Sequence, residues 1–217
     1  MRIAIMQPYF WPYAGYYRLL AGADTFVIFD CVQHIRRGRI HRNEFSTEGA
    51  GSDWLTLPLA RAQQTARIDT LRFAPDTGSE FPARLRRFPL AQRAFAEEGL
   101  AAPVAGGSVA EWLAMQLGAT AGRLGLACRI RRSSALAVDD SLRGTERILA
   151  ICRALGADRY LNLPGGVGLY DPGQFAAQGV SLQFLPAWNG SMQSLTERLL
   201  GERTAALRDE ICTGLPV

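Results

Sequence analysis

The chain has 217 residues, of which 48% are apolar and 20% are charged, as is typical of a globular protein with one large domain. No apolar run reaches the roughly eighteen residues of a membrane helix. The apolar run before Gln7 is also too short for a signal peptide. We therefore expect a cytoplasmic protein that does not insert into a membrane.

The net charge is +4, and every basic residue is an arginine. A net charge this small does not predict nucleic-acid binding, and aromatic residues are not interleaved with the arginines as in a base-stacking surface. The dense run at residues 36–42 predicts a local anionic ligand such as a phosphate. The scattered cysteines and the two histidines, His34 and His41, lack any zinc-binding spacing, so no metal site is expected.

The first elements are predicted to be a strand, a tight loop, a helix and a second strand. Residues 2–6 are an apolar strand, and the prolines of residues 7–12 stop it. Residues 13–20 have helical spacing, and Gly22 ends that helix. Residues 25–29 form the second strand. Such a unit predicts parallel strands joined by a right-handed crossover.

The rest of the chain alternates in the same way. Further strands are predicted at residues 54–58, 68–73, 128–131, 159–162 and 180–185. Helices are predicted at residues 81–98 with a kink or break at Pro89, at 108–124 with a capping box at Ser108 and Glu111, at 145–155, and at 195–211. The pattern predicts an α/β, Rossmann-like fold, with a mainly parallel sheet and helices on both faces. We expect one domain over residues 1–217, with residues 101–107 as the best internal break.

Polar segments follow three of the predicted strands, at residues 7–16, 30–43 and 162–171. Ligands of open α/β sheets bind beyond the carboxyl ends of the strands, so these segments are expected to meet in one cleft. The first contains a helix N-terminus, which favours an anion, and Gly15 allows a ligand or a second backbone to come close. The predicted substrate- or phosphate-binding residues are Gln7, Tyr9, Tyr13, Gly15, Tyr16, Gln33, Arg37, Arg42, Asn43, Asn162, Gly165, Gly166 and Tyr170.

Arg37 and Arg42 are the predicted clamps for a pyrophosphate, because a guanidinium pairs with phosphate through two hydrogen bonds. Asp30, His34 and His41 are the candidate catalytic residues. Asp30 follows a strand and is suited to a ribose hydroxyl, a substrate amine or Mg²⁺. The alternatives are a solvated loop whose arginines meet carboxylates and, at residues 165–168, a plain turn without a phosphate-binding fingerprint.

Taken together, these motifs resemble the WbqC-like family. The matching segments are I-A-I-M-Q-P-Y-F-x-P-Y-x-G-Y at residues 3–16, F-V-I-F-D-x-V-Q at 26–33, R-G-x-I-x-R-N at 37–43, W-L-T-L-P at 54–58 and Y-L-N-x-P-G-G-x-x-L-Y-D at 160–171. Members of this bacterial family are typically encoded among genes for O-antigen and other surface polysaccharides. Cys31, Arg39 and His41 depart from the family pattern, so the substrate is expected to differ from that of typical members.

The resemblance implies a transferase that acts on a nucleotide-activated amino sugar, by N-acyl or aminoacyl transfer. ATP or a nucleotide sugar is the implied small-molecule ligand, with Mg²⁺ as an option and a homodimer compatible with the sequence. Two alternatives stay open. One is an ATP-dependent enzyme that adenylylates an acid and then forms an amide, and the other is a non-catalytic component of a glycan-assembly complex.

The opening unit also resembles the start of nucleotidylyltransferase-type Rossmann proteins, in which an H-x-G-H motif at the first helix binds phosphates. Tyr13 and Tyr16 stand at the two histidine positions. This second resemblance is one of fold, and it implies nucleotide binding rather than nucleotidyl transfer.

Overall fold

The computed structural model describes residues 1–49, 51–97 and 99–216. Its strands are β1 (Arg2–Met6), β2 (Thr25–Ile28), β3 (Arg42–Ser46), β4 (Ser52–Thr56), β5 (Arg129–Arg132), β6 (Arg159–Asn162) and β7 (Ser181–Phe184). Five of them form a parallel sheet in the order β5-β2-β1-β6-β7, while β3 and β4 form an antiparallel hairpin. The α/β, Rossmann-like prediction is confirmed.

The helices surround this sheet and the hairpin. They are α1 (Ala14–Ala21), α2 (Thr77–Leu85), α3 (Pro89–Glu97), α4 (Val109–Arg123), α5 (Gly144–Leu155), α6 (Pro172–Ala176), α7 (Leu195–Arg198) and α8 (Thr204–Cys212). No helix within the described ranges is long and apolar enough to cross a membrane.

The central strand β1 is apolar from Ile3 to Met6 because both of its faces are covered. Ala4 packs in a core that includes residues of α1, α4, α7 and α8. Ile3 and Ile5 point to the opposite face, into a core built with α5 and α6. Helices therefore cover both faces of the sheet, as predicted.

The order of the sheet reverses at β1. The chain moves outward from β1 to β2 and β5, and then crosses back to place β6 and β7 on the other side of β1. Ala4 is paired with Phe26 of β2 and with Leu161 of β6. The carboxyl ends of β1 and β6 are consequently neighbours, and this is where ligands bind in sheets of this topology.

A further core lies under the hairpin. Phe45 and Leu55 of the hairpin pack there with residues of α2, α3 and α4. Phe10 and Trp11, from the loop after β1, belong to the same cluster. Helix α4 contributes to this core and to the core beside α1, so it joins the hairpin to the sheet.

Three predicted elements differ in the structure. Residues 68–73 do not form a strand: Ile68–Thr70 is a 3₁₀ turn, stabilised by the Leu71 N–H donating to the Ile68 carbonyl, and only single bridges follow at Arg72 and Phe73. The helix predicted at 195–211 is broken between α7 and α8. The predicted loop at 30–43 was wrong at its end, since Arg42 and Asn43 begin β3.

Other predictions hold with shifted bounds. The predicted helix at 81–98 is split before Pro89 and starts earlier, at Thr77, while Glu98 lies outside the described residues. The Ser108 hydroxyl accepts a hydrogen bond from the Glu111 N–H, which forms half of the predicted capping box. The Glu111 carboxylate instead accepts from Arg132 at 2.5 Å.

Candidate functional site

Tyrosines dominate the loop that leaves β1 at the reversal of the sheet. The Tyr16 hydroxyl donates to the Gln7 carbonyl at 2.7 Å. The Tyr9 ring makes edge contacts with the rings of Tyr13 and Tyr16, at centroid distances of 6.1 and 5.7 Å. The Tyr9 hydroxyl lies 3.4 Å from Oδ1 of Asn43 on β3. Five predicted site residues from two segments thus lie together.

Asn43 fastens the hairpin to this loop. Its side-chain amide donates to the Trp11 carbonyl at 2.9 Å, while its Oδ1 accepts from Arg39 at 2.7 Å and from the Glu44 N–H at 2.9 Å. The residue is only 3% exposed. Its amide is therefore committed to protein contacts on both sides.

Trp11 has a strained backbone. Its φ is +43°, a region that bulky residues rarely occupy. Its carbonyl accepts from Asn43 and, at 2.8 Å, from the Ser194 hydroxyl, and its indole N–H donates to Gln116 at 3.3 Å. Strain of this kind costs about 1–3 kcal/mol and persists where the surroundings enforce it, often at functional sites.

Two arginines stack on Trp54 of β4 beside this loop. The guanidinium carbon of Arg42 lies 4.2 Å from the ring centroid, and that of Arg39 lies 4.8 Å away. Arg39 is also 6.0 Å from the Tyr9 ring. We call Tyr9, Arg39, Arg42 and Trp54 the arginine–aromatic surface. Sequence reasoning selected Arg42 and missed Arg39 and Trp54.

Arg37 takes part in this region through its backbone. Its carbonyl accepts from Nη2 of Arg42 at 2.7 Å, while its own side chain is exposed. The predicted pyrophosphate clamp by both arginines stays a prediction, with Arg42 fixed in position and Arg37 extending from the surface.

The phenols near this surface are neutral at physiological pH. Burial raises the pKa of Tyr9 to about 12, although nearby Arg39 partly opposes it. Burial likewise raises the pKa of Tyr13, and it raises that of Tyr16 well above its ordinary value. All three hydroxyls therefore remain hydrogen-bond donors.

Gly15 is needed for packing of an aromatic side chain on the first turn of α1. A Cβ atom at Gly15 would lie 2.6 Å from the Trp188 ring and 2.4 Å from the Tyr13 ring. The group that comes close here is thus a side chain from the C-terminal segment, whereas the sequence predicted a ligand or a backbone.

The glycine-rich loop after β6 is organised by Asn162. Its Oδ1 accepts from the Leu163 N–H at 2.8 Å, and a Cβ atom at Gly166 would lie 2.4 Å from its Nδ2. Gly165 is exposed beside it. Tyr170 packs edge-on against Phe175 in the core next to α6. These four predicted residues contact their own loop and that core, and their role in binding stays a prediction.

Asp30 follows β2 and is fully buried. Its Oδ1 accepts from the Ser133 hydroxyl at 3.0 Å and the Ser134 N–H at 2.8 Å, and its Oδ2 accepts from the Ser134 hydroxyl at 2.8 Å and Arg132 Nε at 2.7 Å. Both oxygens are therefore occupied by Arg132, the last residue of β5, and by the two serines that follow it. Its predicted catalytic role is not tested by this geometry.

The two histidines lie in contact with each other. Nε2 of His34 is 3.0 Å from Nδ1 of His41, and both line a cleft of about 680 Å³. Burial lowers the pKa of His34, helped by Arg36. Burial also lowers the pKa of His41 to about 4, helped by His34 and Arg42. Both imidazoles are consequently neutral near pH 7, and their catalytic role stays a prediction.

Gln33 contacts the chain just after residues 60–63, which line the same cleft. Its side-chain amide donates to the Gln64 carbonyl at 3.0 Å, and its backbone forms a bridge with Arg67. This exposed residue therefore helps to hold residues 60–66 next to the histidine pair.

The His41 pKa makes stability depend on pH. Because its folded pKa of about 4 is below the unfolded value of 6.5, the unfolded chain binds the extra proton between these values. His41 therefore does not lower the free energy of unfolding above about pH 6.5. As the pH falls from 6.5 toward 4, that free energy decreases, because the unfolded chain takes up the proton first. We expect His41→Gln to reduce the loss of unfolding free energy between pH 7.5 and 4.5 by about 1–2 kcal/mol, allowing for solvent screening.

Urea unfolding of the native protein and His41→Gln at both pH values measures this difference, since all other titrating groups are shared. An identical pH dependence in the two proteins would contradict the lowered pKa.

Comparison with known proteins supports the motif-based resemblance. The model of the WbqC-like protein family matches residues 7–191. The chain is also similar to "Uncharacterized protein Rv1507c" of Mycobacterium tuberculosis, with 27% identity over 189 residues that cover 78% of this chain and 75% of that protein. No solved structure gave a significant match.

Proposed function

The chain belongs to the WbqC-like protein family, and from this membership and the geometry at the end of β1 we propose that it is a group transferase acting on a nucleotide-activated amino sugar in surface-polysaccharide synthesis. The group transferred is an acyl or aminoacyl group, and the amine of the sugar receives it.

The observation that carries the proposal is the position of the arginine–aromatic surface. The Tyr9–Asn43 contact places this surface beside the carboxyl end of β1, at the reversal of strand order. Crevices at this position bind nucleotides in Rossmann-like sheets. Guanidinium groups bind phosphates, and half-buried aromatic rings stack on bases and sugars.

Arg42 is the best placed phosphate ligand of this surface. Its stacking on Trp54 and its bond to the Arg37 carbonyl hold the guanidinium in one orientation. Its Nε is buried, without a hydrogen-bond partner in the described part of the chain, so a phosphate would be bound through the other guanidinium N–H groups. A preorganised arginine loses less entropy when it binds a phosphate.

We expect Arg42→Ala to weaken binding of the nucleotide sugar by about 10- to 100-fold, the loss of one charge-assisted hydrogen bond or a bidentate pair. Isothermal titration with UDP-, dTDP- and GDP-linked amino sugars, with and without Mg²⁺, measures the affinity. Arg153→Ala is the matched control, because Arg153 is exposed in the last turn of α5, which leads into the amino end of β6, whereas the proposed site lies at the carboxyl ends of the strands.

Each alternative has a distinct result. If the folded protein binds none of these sugars, the proposal fails. ATP–pyrophosphate exchange stimulated by a carboxylic acid would identify the adenylylating, amide-forming enzyme instead. Unchanged glycan composition in cells that carry Arg42→Ala and Asn162→Ala, with both variants folded, would favour the non-catalytic component of an assembly complex.

A further inference from the structure

The cleft beside His34 and His41 does not share any lining residue with the arginine–aromatic surface. Its volume of about 680 Å³ is in the range of small-molecule sites, which measure about 300–1,000 Å³. Its walls come from the end of β4, residues 57–63, the residues just before α2 and the last turn of α2. Apolar side chains and polar or charged side chains line it in nearly equal numbers.

The charged groups of this cleft favour an anion. Arg36, Arg61 and Arg84 line it together with one carboxylate, Asp76. Arg84 is neutralised by Glu80 at 3.0 Å. Arg36 and Arg61 are exposed, and Arg36 is held at the cleft by a 3.2 Å hydrogen bond to a backbone carbonyl. Two guanidinium groups are thus available to a phosphate or carboxylate.

The histidine pair adds a means of moving a proton. Two neutral imidazoles whose nitrogens face each other at 3.0 Å share one N–H between them. The outer nitrogens, which do not face the other ring, are Nδ1 of His34 and Nε2 of His41. If the shared proton belongs to His34, then the outer nitrogen of His34 is a base and that of His41 carries a proton. In the other tautomer the roles are reversed. Either way, one outer nitrogen accepts and the other donates.

We propose that this cleft binds a second small-molecule substrate, one that carries a phosphate or carboxylate together with a hydroxyl, thiol or amine, and that the His34–His41 pair removes the proton from that nucleophile. Anion binding and proton transfer here do not depend on the nucleotide sugar. The nucleophile bound here is distinct from the sugar amine of the proposed transfer, so the inference goes beyond the proposed function.

The proton balance closes within the pair. The nucleophile's proton moves to the unprotonated outer nitrogen of one ring, and the shared proton crosses to the second ring. The second ring then releases the proton of its own outer nitrogen to solvent. The pair ends in its other tautomer with no net charge, so a neutral pair with lowered pKa values is suited to the step.

The test uses the full chain with ¹⁵N-labelled histidine. Inorganic phosphate and acetate are titrated separately at constant ionic strength, and the ring ¹⁵N signals of His34 and His41 are followed at pH 7. We expect saturable shifts with one or both anions, and the stronger anion identifies the group recognised. Arg61→Ala and Arg36→Ala should each weaken binding about 10-fold, while exposed Arg131→Ala on β5 should not.

The same spectra test the relay. The two facing nitrogens must share one proton, so His34 and His41 must have opposite protonation at those positions. Two unprotonated facing nitrogens, or shifts that stay linear with both anions and ignore Arg61→Ala, would overturn the inference. Saturable binding of phosphate without any binding of nucleotide sugars would support the inference and refute only the proposed function.

Discussion

Asp30→Ala is expected to lower the free energy of unfolding by about 3–5 kcal/mol, because it leaves the buried donors around the carboxylate without an acceptor. The carboxylate is fully buried and holds Arg132, Ser133 and Ser134. For a chain of this size such a loss corresponds to a fall of roughly 10 °C in Tm. Urea and thermal unfolding followed by circular dichroism measure both quantities.

The matched control is Asp53→Ala. Asp53 also accepts from an arginine, Arg87 at 2.6 Å, but its side chain is 45% exposed. A surface pair of this kind contributes little to stability, because solvent and salt screen it. Equal losses in the two variants would contradict the structural role of Asp30. A variant Asp30→Asn that folds normally but transfers no group would instead support the catalytic role predicted from the sequence.

The parallel sheet could be predicted because its strands carry their own signal. The strand at residues 159–162 is predicted to the residue, since its two central residues, Tyr160 and Leu161, are large and apolar and are buried on opposite faces. The hairpin carries a weaker signal. In β3 only Asn43 and Phe45 are buried, between charged residues, so its pairing with β4 decides the structure.

Apolar residues alone misled the prediction at residues 68–73. Ile68, Leu71 and Phe73 are buried, and their spacing suits a strand as well as a turn. The intervening Asp69 is held by Arg67 at 2.6 Å, and its N–H donates to the Asp30 carbonyl. Asp30 is far from Asp69 in the sequence, so no local pattern indicates the contact that favours this turn.

For the candidate site, the sequence indicated the segments better than the roles of their residues. It predicted that residues 7–16, 30–43 and 162–171 meet in one cleft. Tyr9 does lie against Asn43, whereas the contacts of Asn162 and Tyr170 are with their own loop and the core next to α6, so the convergence of all three segments stays a prediction. It did not predict that Trp188 covers the first turn of α1 or that Ser194 bonds to Trp11. Both residues come from the far end of the chain, where no local motif indicates a contact with the first loop.

Asn43→Ala is expected to lower the free energy of unfolding by about 2–4 kcal/mol, because it removes a buried amide with partners on both sides. The Trp11 carbonyl would lose one of its two donors while its backbone remains strained, and Arg39 would lose its nearest acceptor. We also expect faster amide exchange across residues 9–13. Urea unfolding and native-state hydrogen exchange measure the two effects.

Two variants of β3 separate the contacts of Asn43 from general effects on the hairpin. Glu44→Ala removes an exposed partner of Arg39 and should cost less than about 1 kcal/mol. Asn43→Asp keeps the acceptor for Arg39 but cannot donate to the Trp11 carbonyl, so it should loosen residues 9–13 as the alanine does. If Asn43→Ala instead kept full stability and only lost nucleotide-sugar binding, Asn43 would contact the ligand, and the strain at Trp11 would be maintained by Ser194.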